Sequence, residues 1–199
     1  MTDIEQTETD PFVLFHRWMT EAEASEPSDP NAMTVVTVGP DGKPSARTVL
    51  LKGVDPRGFV FYTNTLSRKG DEMRDNASIA LLFYWKSLAR QIRVEGSVEA
   101  VSDAEADAYF ASRARISRLG AWASDQSRPL AGRAELENRL RRFEEKFPGE
   151  DIPRPPHWHG YRVLPERFEF WVNMPYRLHD RTIFERTAGG GWTTAKLFP

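Results

Sequence analysis

The chain has no cysteine, which removes disulfides, thiolate metal sites and a cysteine nucleophile from consideration. It has no surplus of either charge: 27 Lys and Arg stand against 29 Asp and Glu, for a formal net charge of −2. A general nucleic-acid binder carries a basic excess, so no nucleic-acid partner is expected. Long apolar runs are missing too. Stretches such as Ile79–Trp85 fall far short of the roughly 20 residues of a membrane span. The N-terminus, Met1-Thr2-Asp3-Ile4-Glu5, has no basic region leading into an apolar one, so it is no secretory signal. The expectation is a cytoplasmic protein that does not bind membranes. Nor is there an internal repeat, a G-x-S-x-G, a P-loop or a G-x-G-x-x-G element. What remains is 199 residues, enough to bury a core without staples. A polar, disordered tail is expected over 1–9 and one domain over 10–199.

Within that domain the pattern alternates between helix and strand. Asp10-Pro11 reads as an N-cap followed by proline at the first helical position. Phe12, Leu14, Phe15, Trp18 and Met19 share a face, predicting an amphipathic helix from Pro11 to about Glu23. Met33–Val38, Ala46–Lys52 and Phe59–Thr63 read as strands separated by turns at Gly39–Gly42 and Gly53–Gly58, an expected antiparallel meander. Ser67 caps a helix over 68–76, and strands follow at Ile79–Trp85 and Gln91–Ala100. Ser102 and Glu105 form a capping box for a helix to about Ser112. Residues 113–128 read as less regular, and Leu130–Phe147 as a charged helix with an ion-paired, solvated face. Beyond a loop with four prolines at 148–156, strands are expected at Tyr161–Val163 running into Phe168–Val172, at Thr182–Arg186 and at Trp192–Leu197. Seven or eight antiparallel strands with three or four helices give a mainly β, α+β protein: a small closed or split barrel flanked by helices.

Four groups of residues offer chemistry. Arg47 and Lys52 sit in the otherwise apolar strand Arg47-Thr48-Val49-Leu50-Leu51-Lys52, where a buried unpaired cation is costly. Either both reach solvent at the strand ends or they serve an anion. Ser67-Arg68-Lys69 places a hydroxyl cap and two cations at a helix N-terminus, a possible phosphate cradle. Tyr109, Arg113 and Ser117 are spaced i, i+4, i+8 and would share a face if their helix continues, offering groups that bind phosphate. Arg177, His179 and Arg181 would share one side of an extended segment and repel one another unless an anion lies among them. His157-x-His159 has no acidic partner cluster, and no metal is expected. Several anion-friendly spots beside abundant aromatics suggest a phosphorylated aromatic cofactor, such as a flavin, with a phosphorylated substrate.

These residues also stand in the order of a known family. Arg47–Lys52, Phe61-Tyr62-Thr63-Asn64, Ser67-Arg68-Lys69, Arg90-Gln91, Tyr109–Arg113, Gly120–Ser124, Gln126-Ser127, Glu169-Phe170-Trp171 and Arg177–Arg181 together resemble the pyridoxine/pyridoxamine 5′-phosphate oxidases. The resemblance runs from about Asp10 to Pro199. It implies an FMN-binding split β-barrel working as a homodimer, with the flavins at the subunit interface. It implies oxidation of pyridoxamine or pyridoxine 5′-phosphate to pyridoxal 5′-phosphate, with O2 reduced to hydrogen peroxide. FMN contacts carry over to Arg47, Thr48, Val49, Leu50, Leu51, Lys52, Tyr62, Thr63, Arg68, Lys69, Gln91, Gln126, Ser127, Trp171 and Arg181. Substrate-phosphate contacts carry over to Lys52, Tyr109, Arg113 and Ser117, with Arg177 and His179 over the substrate ring as catalytic residues. One departure is Val172, where the family has a polar residue or glycine after Glu-Phe-Trp. The alternatives are a split-barrel flavin oxidase for another aromatic substrate, or a non-catalytic FMN or pyridoxal-phosphate binder.

Overall fold

The computed structural model describes residues 8–199; of the expected disordered tail, residues 1–7 lie outside the described residues. Helix α1 (Pro11–Ser25) starts where its cap predicts. The Asp10 carboxylate accepts a 2.8 Å hydrogen bond from the Phe12 amide, and Pro11 fills a position that needs no N–H donor. Its apolar stripe is the plug of the core. Phe15 meets Phe59 at 4.9 Å and Phe83 at 5.2 Å, and Trp18 meets Phe170 edge-on at 5.1 Å. Burying Phe12 and Phe15 contributes about 1.5–3 kcal/mol each.

The strands are β1 (Ala32–Val38), β2 (Pro44–Leu50), β3 (Gly53–Asp55), β4 (Gly58–Asn64), β5 (Ser78–Trp85), β6 (Arg90–Ala100), β7 (Trp158–Val172), β8 (Asp180–Arg186) and β9 (Trp192–Lys196). They form one curled antiparallel sheet in the order β2-β1-β5-β6-β7-β4-β3, with β8 on β7 and β9 on β8. The α-helices are α2 (Arg68–Asp75), α3 (Asp103–Ser112), α4 (Arg115–Ala123) and α5 (Arg133–Lys146), besides α1. A 3₁₀ turn spans Pro175–Arg177.

Several local expectations change in the folded chain. The first three expected strands are not a meander. β1 and β2 form a hairpin, but β1 turns its other edge to β5, and β4 pairs with β7 across the molecule. Gly53–Asp55, expected as a turn, is a short strand on β4. The tail's first strand, expected as Tyr161–Val163 running into Phe168–Val172, is continuous and begins earlier, as the 15-residue β7. Its first half pairs with β4 and its second half with β8, while β6 runs along its other edge. A bulge at Glu95/Gly96 lets β6 follow that curve, and only glycine fits there. A Cβ on Gly96 would lie 2.0 Å from the Leu164 carbonyl oxygen. Residues 115–123, expected to be irregular, form α4. The strand and helix totals accordingly exceed those expected.

Helices α3 to α5 sit outside the main core on a second cluster built around Phe110, Leu119, Ile152 and Trp158. The expected capping box is present: Ser102 Oγ accepts from the Glu105 amide while the Glu105 carboxylate accepts from the Ser102 amide. Helix α5 buries no residue and carries the Arg133–Glu137 pair at 3.0 Å. No helix of the described residues is long and apolar enough to cross a membrane.

Candidate functional site

A cavity of about 900 Å³ opens between the edge strand β2, the end of β4, the start of α2 and the α3–α4 pair. Its size suits a cofactor with a substrate beside it. Two cationic clusters line it, each with a cation that lacks a countercharge.

The first cluster lies where β2 faces α2. The Ser67 hydroxyl caps α2, as expected. Lys69 is 6% exposed, and its ammonium donates to Thr63 Oγ1 at 2.9 Å, Ser67 Oγ at 3.1 Å and Gln126 Oε1 at 2.8 Å. All three acceptors are neutral. Burial, with help from the nearby Arg47 charge, pulls the Lys69 pKa down to about 8, against a smaller opposing pull from Glu72. Arg47 and Arg68 flank it, and both contact the Glu72 carboxylate.

The second cluster is aromatic as well as basic. Tyr62 stacks on Tyr109 at 4.0 Å and on Trp158 at 5.1 Å. The Arg113 guanidinium lies over the Trp158 ring at 4.9 Å, with no carboxylate beside it. Its Nη1 is buried without a hydrogen-bond partner, and burial lowers the pKa of the group. A buried unpaired donor is expensive unless a ligand completes it. Ser117 and Lys52 also line the cavity.

The comparisons with known proteins bear on this geometry. A family profile described as pyridoxamine 5′-phosphate oxidase matches residues 19–147. A second, for the pyridoxine 5′-phosphate oxidase C-terminal dimerisation region, matches residues 158–199. A pyridoxine/pyridoxamine 5′-phosphate oxidase of Gluconobacter oxydans is 63% identical over 190 residues, covering 96% of this chain and 94% of that protein. The chain belongs to the pyridoxine/pyridoxamine 5′-phosphate oxidase family. The family's namesake in Sphingopyxis alaskensis is 60% identical, covering 96% of this chain and 88% of its own. The crystal structure of PhzG from Burkholderia lata 383, in complex with tetrahydrophenazine-1-carboxylic acid, superimposes with a TM-score of 0.92 at 31% identity, covering 100% of this chain and 97% of that one. Membership makes the chain an oxidoreductase enzyme, and its sheet is the family's split barrel.

The residues that carry the family resemblance fall into two sets. Arg47, Thr48, Val49, Leu50, Lys52, Tyr62, Thr63, Arg68 and Lys69 line the cavity, as do Tyr109, Arg113, Ser117, Gln126 and Ser127. The helical face expected for Tyr109, Arg113 and Ser117 does not exist. Arg113 and Ala114 are extended and separate α3 from α4. The three residues meet because the break folds α4 back, so that Phe110 and Leu119 bury in one cluster.

The other set lies elsewhere. Leu51 is buried in the main core. Gln91, Trp171 and Arg181 are directly opposed across β6, β7 and β8, one row on one face of the sheet. The side chain of Arg181 donates to both Glu169 carboxylate oxygens, at 2.8 and 3.1 Å. Of the expected extended Arg177–Arg181 segment only Asp180 and Arg181 are strand; Arg177 ends the 3₁₀ turn, with Tyr176 and Arg177 at φ 59° and 62°. His179 packs on Trp171 at 4.6 Å with the rings tilted by 41°, and its Nδ1 accepts from the Met174 amide at 3.3 Å. Arg177, His179 and Arg181 therefore do not form the single cationic side expected, because Glu169 occupies Arg181. None of these residues lines the cavity of its own chain.

Sequence reasoning missed Trp158 and Glu72. The signal for Trp158 was an isolated tryptophan where the proline-rich loop ends; Glu72 looked like one more acid on a polar helix. His157 and His159 hold the loop and strand start: His157 Nε2 lies 2.9 Å from the Ala121 carbonyl oxygen and His159 Nε2 3.3 Å from Asp103.

Proposed function

We propose that the chain is an FMN-dependent oxidase that converts pyridoxamine or pyridoxine 5′-phosphate to pyridoxal 5′-phosphate, with O2 reduced to hydrogen peroxide, and that it works as a homodimer. The observation that carries this reading is the pair of separate, undercompensated cations, Lys69 and Arg113, in one cavity. Two anionic groups are needed to satisfy them, and FMN and the substrate bring one phosphate each.

The donor set fits FMN. Arg47, Arg68 and Lys69 would hold its phosphate at the capped start of α2, and Thr63, Gln126 and Ser127 border the space beyond it. When bound there, FMN would supply the hydride acceptor for the substrate carbon and the route for the electron pair to O2. Lys52, Tyr109, Arg113 and Ser117 would grip the substrate phosphate. Binding energy spent there, remote from the reacting carbon, fixes that carbon's position.

The second set of residues completes the site when it comes from a second copy. A two-fold dimer would place the Gln91-Trp171-Arg181 row and the Arg177–His179 turn of one chain over the cavity of the other. The match to a dimerisation region over 158–199 supports this arrangement, since that segment holds most of the displaced set. Arg177 would orient the substrate ring. His179 accepts a hydrogen bond at Nδ1, so its neutral ring carries the proton at Nε2, the atom free to exchange it with substrate.

The deciding experiment is direct. Purified protein is inspected for a flavin spectrum, then given pyridoxamine 5′-phosphate in air while aldehyde and peroxide are followed. A preparation that stays colourless and inert after FMN is supplied defeats the reading. The resemblance to PhzG raises a second substrate, an unphosphorylated carboxylated polycycle, and the same assay on such a compound separates the two. Lys52, Tyr109, Arg113 and Ser117, two cations and two hydroxyls lining one cavity, favour the phosphate.

A further inference from the structure

Glu72 has no role in the scheme above, yet its carboxylate is 7% exposed and ties three elements together. Oε1 accepts from Arg68 Nε at 2.8 Å. Oε2 accepts from Thr37 Oγ1 on β1 and Ser45 Oγ on β2, both at 2.5 Å, and from Arg47 Nη2 at 3.3 Å. The two hydroxyls are relays. Thr37 accepts from Arg47 Nη1 at 2.5 Å, and Ser45 accepts from Arg47 Nη2, so each passes the guanidinium's hydrogen bonding on to Glu72.

We propose that Glu72 is a positioning residue that locks the Arg47 and Arg68 guanidiniums into the seat for the cofactor phosphate. This rests on the FMN reading given above. Three lines of argument converge on it.

The first is charge. Arg47, Arg68 and Lys69 bring three positive charges and Glu72 one negative, an excess close to the −1.5 to −2 of a phosphate monoester. Without the carboxylate, three cations would crowd one corner of the cavity and repel one another while it is empty. The second is geometry. Arg68 is 64% exposed, and its Nε bond to Glu72, one helical turn on, is what fixes the direction of its fork. A flexible arginine loses rotamer freedom when it binds a phosphate, and fixing it beforehand lowers that cost. The third is position. Residue 70 must be glycine for α2 to approach this closely, because a Cβ there would sit 2.1 Å from the Thr65 carbonyl oxygen. The helix that carries Arg68, Lys69 and Glu72 is thereby pressed against the end of β4. Burial alone would raise the Glu72 pKa, but bonds from Ser45, Thr37 and Arg68 outweigh it and hold the group ionised, near 2.

The test separates positioning from general support of the fold. Full-length protein freed of flavin is titrated with FMN and with riboflavin, which lacks the phosphate, and binding is read by quenching of flavin fluorescence. Glu72→Ala is expected to weaken FMN about ten-fold or more and to change riboflavin by less than about two-fold. Glu72→Gln, which keeps the length and one acceptor oxygen, is expected to recover most of the affinity, with a loss of about three-fold confined to FMN. That variant carries the test should the alanine variant not fold. FMN affinity equal to wild type in either folded variant overturns the proposal. So does equal weakening of FMN and riboflavin. If wild type shows no preference for FMN over riboflavin, the cofactor-phosphate reading itself falls and takes this proposal with it. If wild type prefers FMN and the variants do too, undiminished, only the role of Glu72 falls.

Discussion

The cavity and the outer row on β6, β7 and β8 are built in opposite ways. In the cavity, Lys69 and the Nη1 of Arg113 are buried without carboxylate partners, and polarity is left unfinished. In the row, the cations have a countercharge: Glu169, 2% exposed, accepts from Arg93 and Arg181, with Arg167 at 4.0 Å, although Arg93 Nε has no hydrogen-bond partner. Cations without a countercharge are arranged for a ligand, whereas cations held on a carboxylate are arranged to keep their own shape. Beside that rigid row stand the groups the family resemblance assigns to catalysis, on a turn whose Tyr176 and Leu178 are 92% and 67% exposed. Such a turn, with two non-glycine residues at positive φ, is a surface that waits for another one.

If the row is structural, breaking it costs stability before it costs binding. Glu169→Ala leaves part-exposed guanidiniums without their carboxylate and is expected to lower unfolding free energy by about 1–3 kcal/mol, read from chemical denaturation. Its pKa is lowered in the fold: burial raises it, and the Arg181 and Arg93 bonds more than compensate. The stabilisation is therefore present above the ordinary glutamate pKa and fades as pH falls below it. A denaturation midpoint equal to wild type would erase the contrast.

If the cavity is functional, its variants lose binding instead. Arg113→Ala is expected to raise the KM for the phosphorylated substrate roughly ten- to a hundred-fold, the worth of one charged hydrogen bond of about 1.5–3 kcal/mol. An unchanged KM would remove Arg113 from the substrate phosphate. Arg177→Ala is expected to impair turnover while flavin stays bound, and loss of the flavin spectrum would move Arg177 to the cofactor. Mixing the two inactive variants sharpens the comparison further. If cavity and turn come from different subunits, random reassortment returns about a quarter of wild-type sites. No recovery would place both halves in one chain.

The smallest effect concerns Lys69. Its pKa in the free protein is about 8, and a neighbouring phosphate would raise it, so FMN binding should take up a proton above that pH. Affinity for FMN is expected to fall, up to about ten-fold, as pH rises past about 8. Calorimetry in buffers of different ionisation enthalpy counts the proton directly, and no uptake would mean that Lys69 does not meet the phosphate.

Much of this was legible along the chain. The caps at Asp10, Ser67 and Ser102 mark α1, α2 and α3, because each cap satisfies amides only a few residues away. Most of the cavity set was legible as well, through the family's motifs. The break at Arg113 and Ala114 was not, since neither glycine nor proline stands between Tyr109 and Ser117. It follows from the joint burial of Phe110 and Leu119 with Trp158, contacts remote in sequence. The course of β7 was hidden for the same reason: its two halves have different partners, β4 and β8, which a local pattern does not name.

The sequence by itself determined most of the strands, the starts of α1, α2 and α3 and the inventory of cations and hydroxyls, because periodicity and capping act over a few residues. The tertiary structure alone decided which of those cations share a cavity, that Glu72 joins β1, β2 and α2, and that Arg181 is spent on Glu169. Pairing across a sheet and the closing of a charge network join residues from distant parts of the chain, and no spacing rule reaches that far.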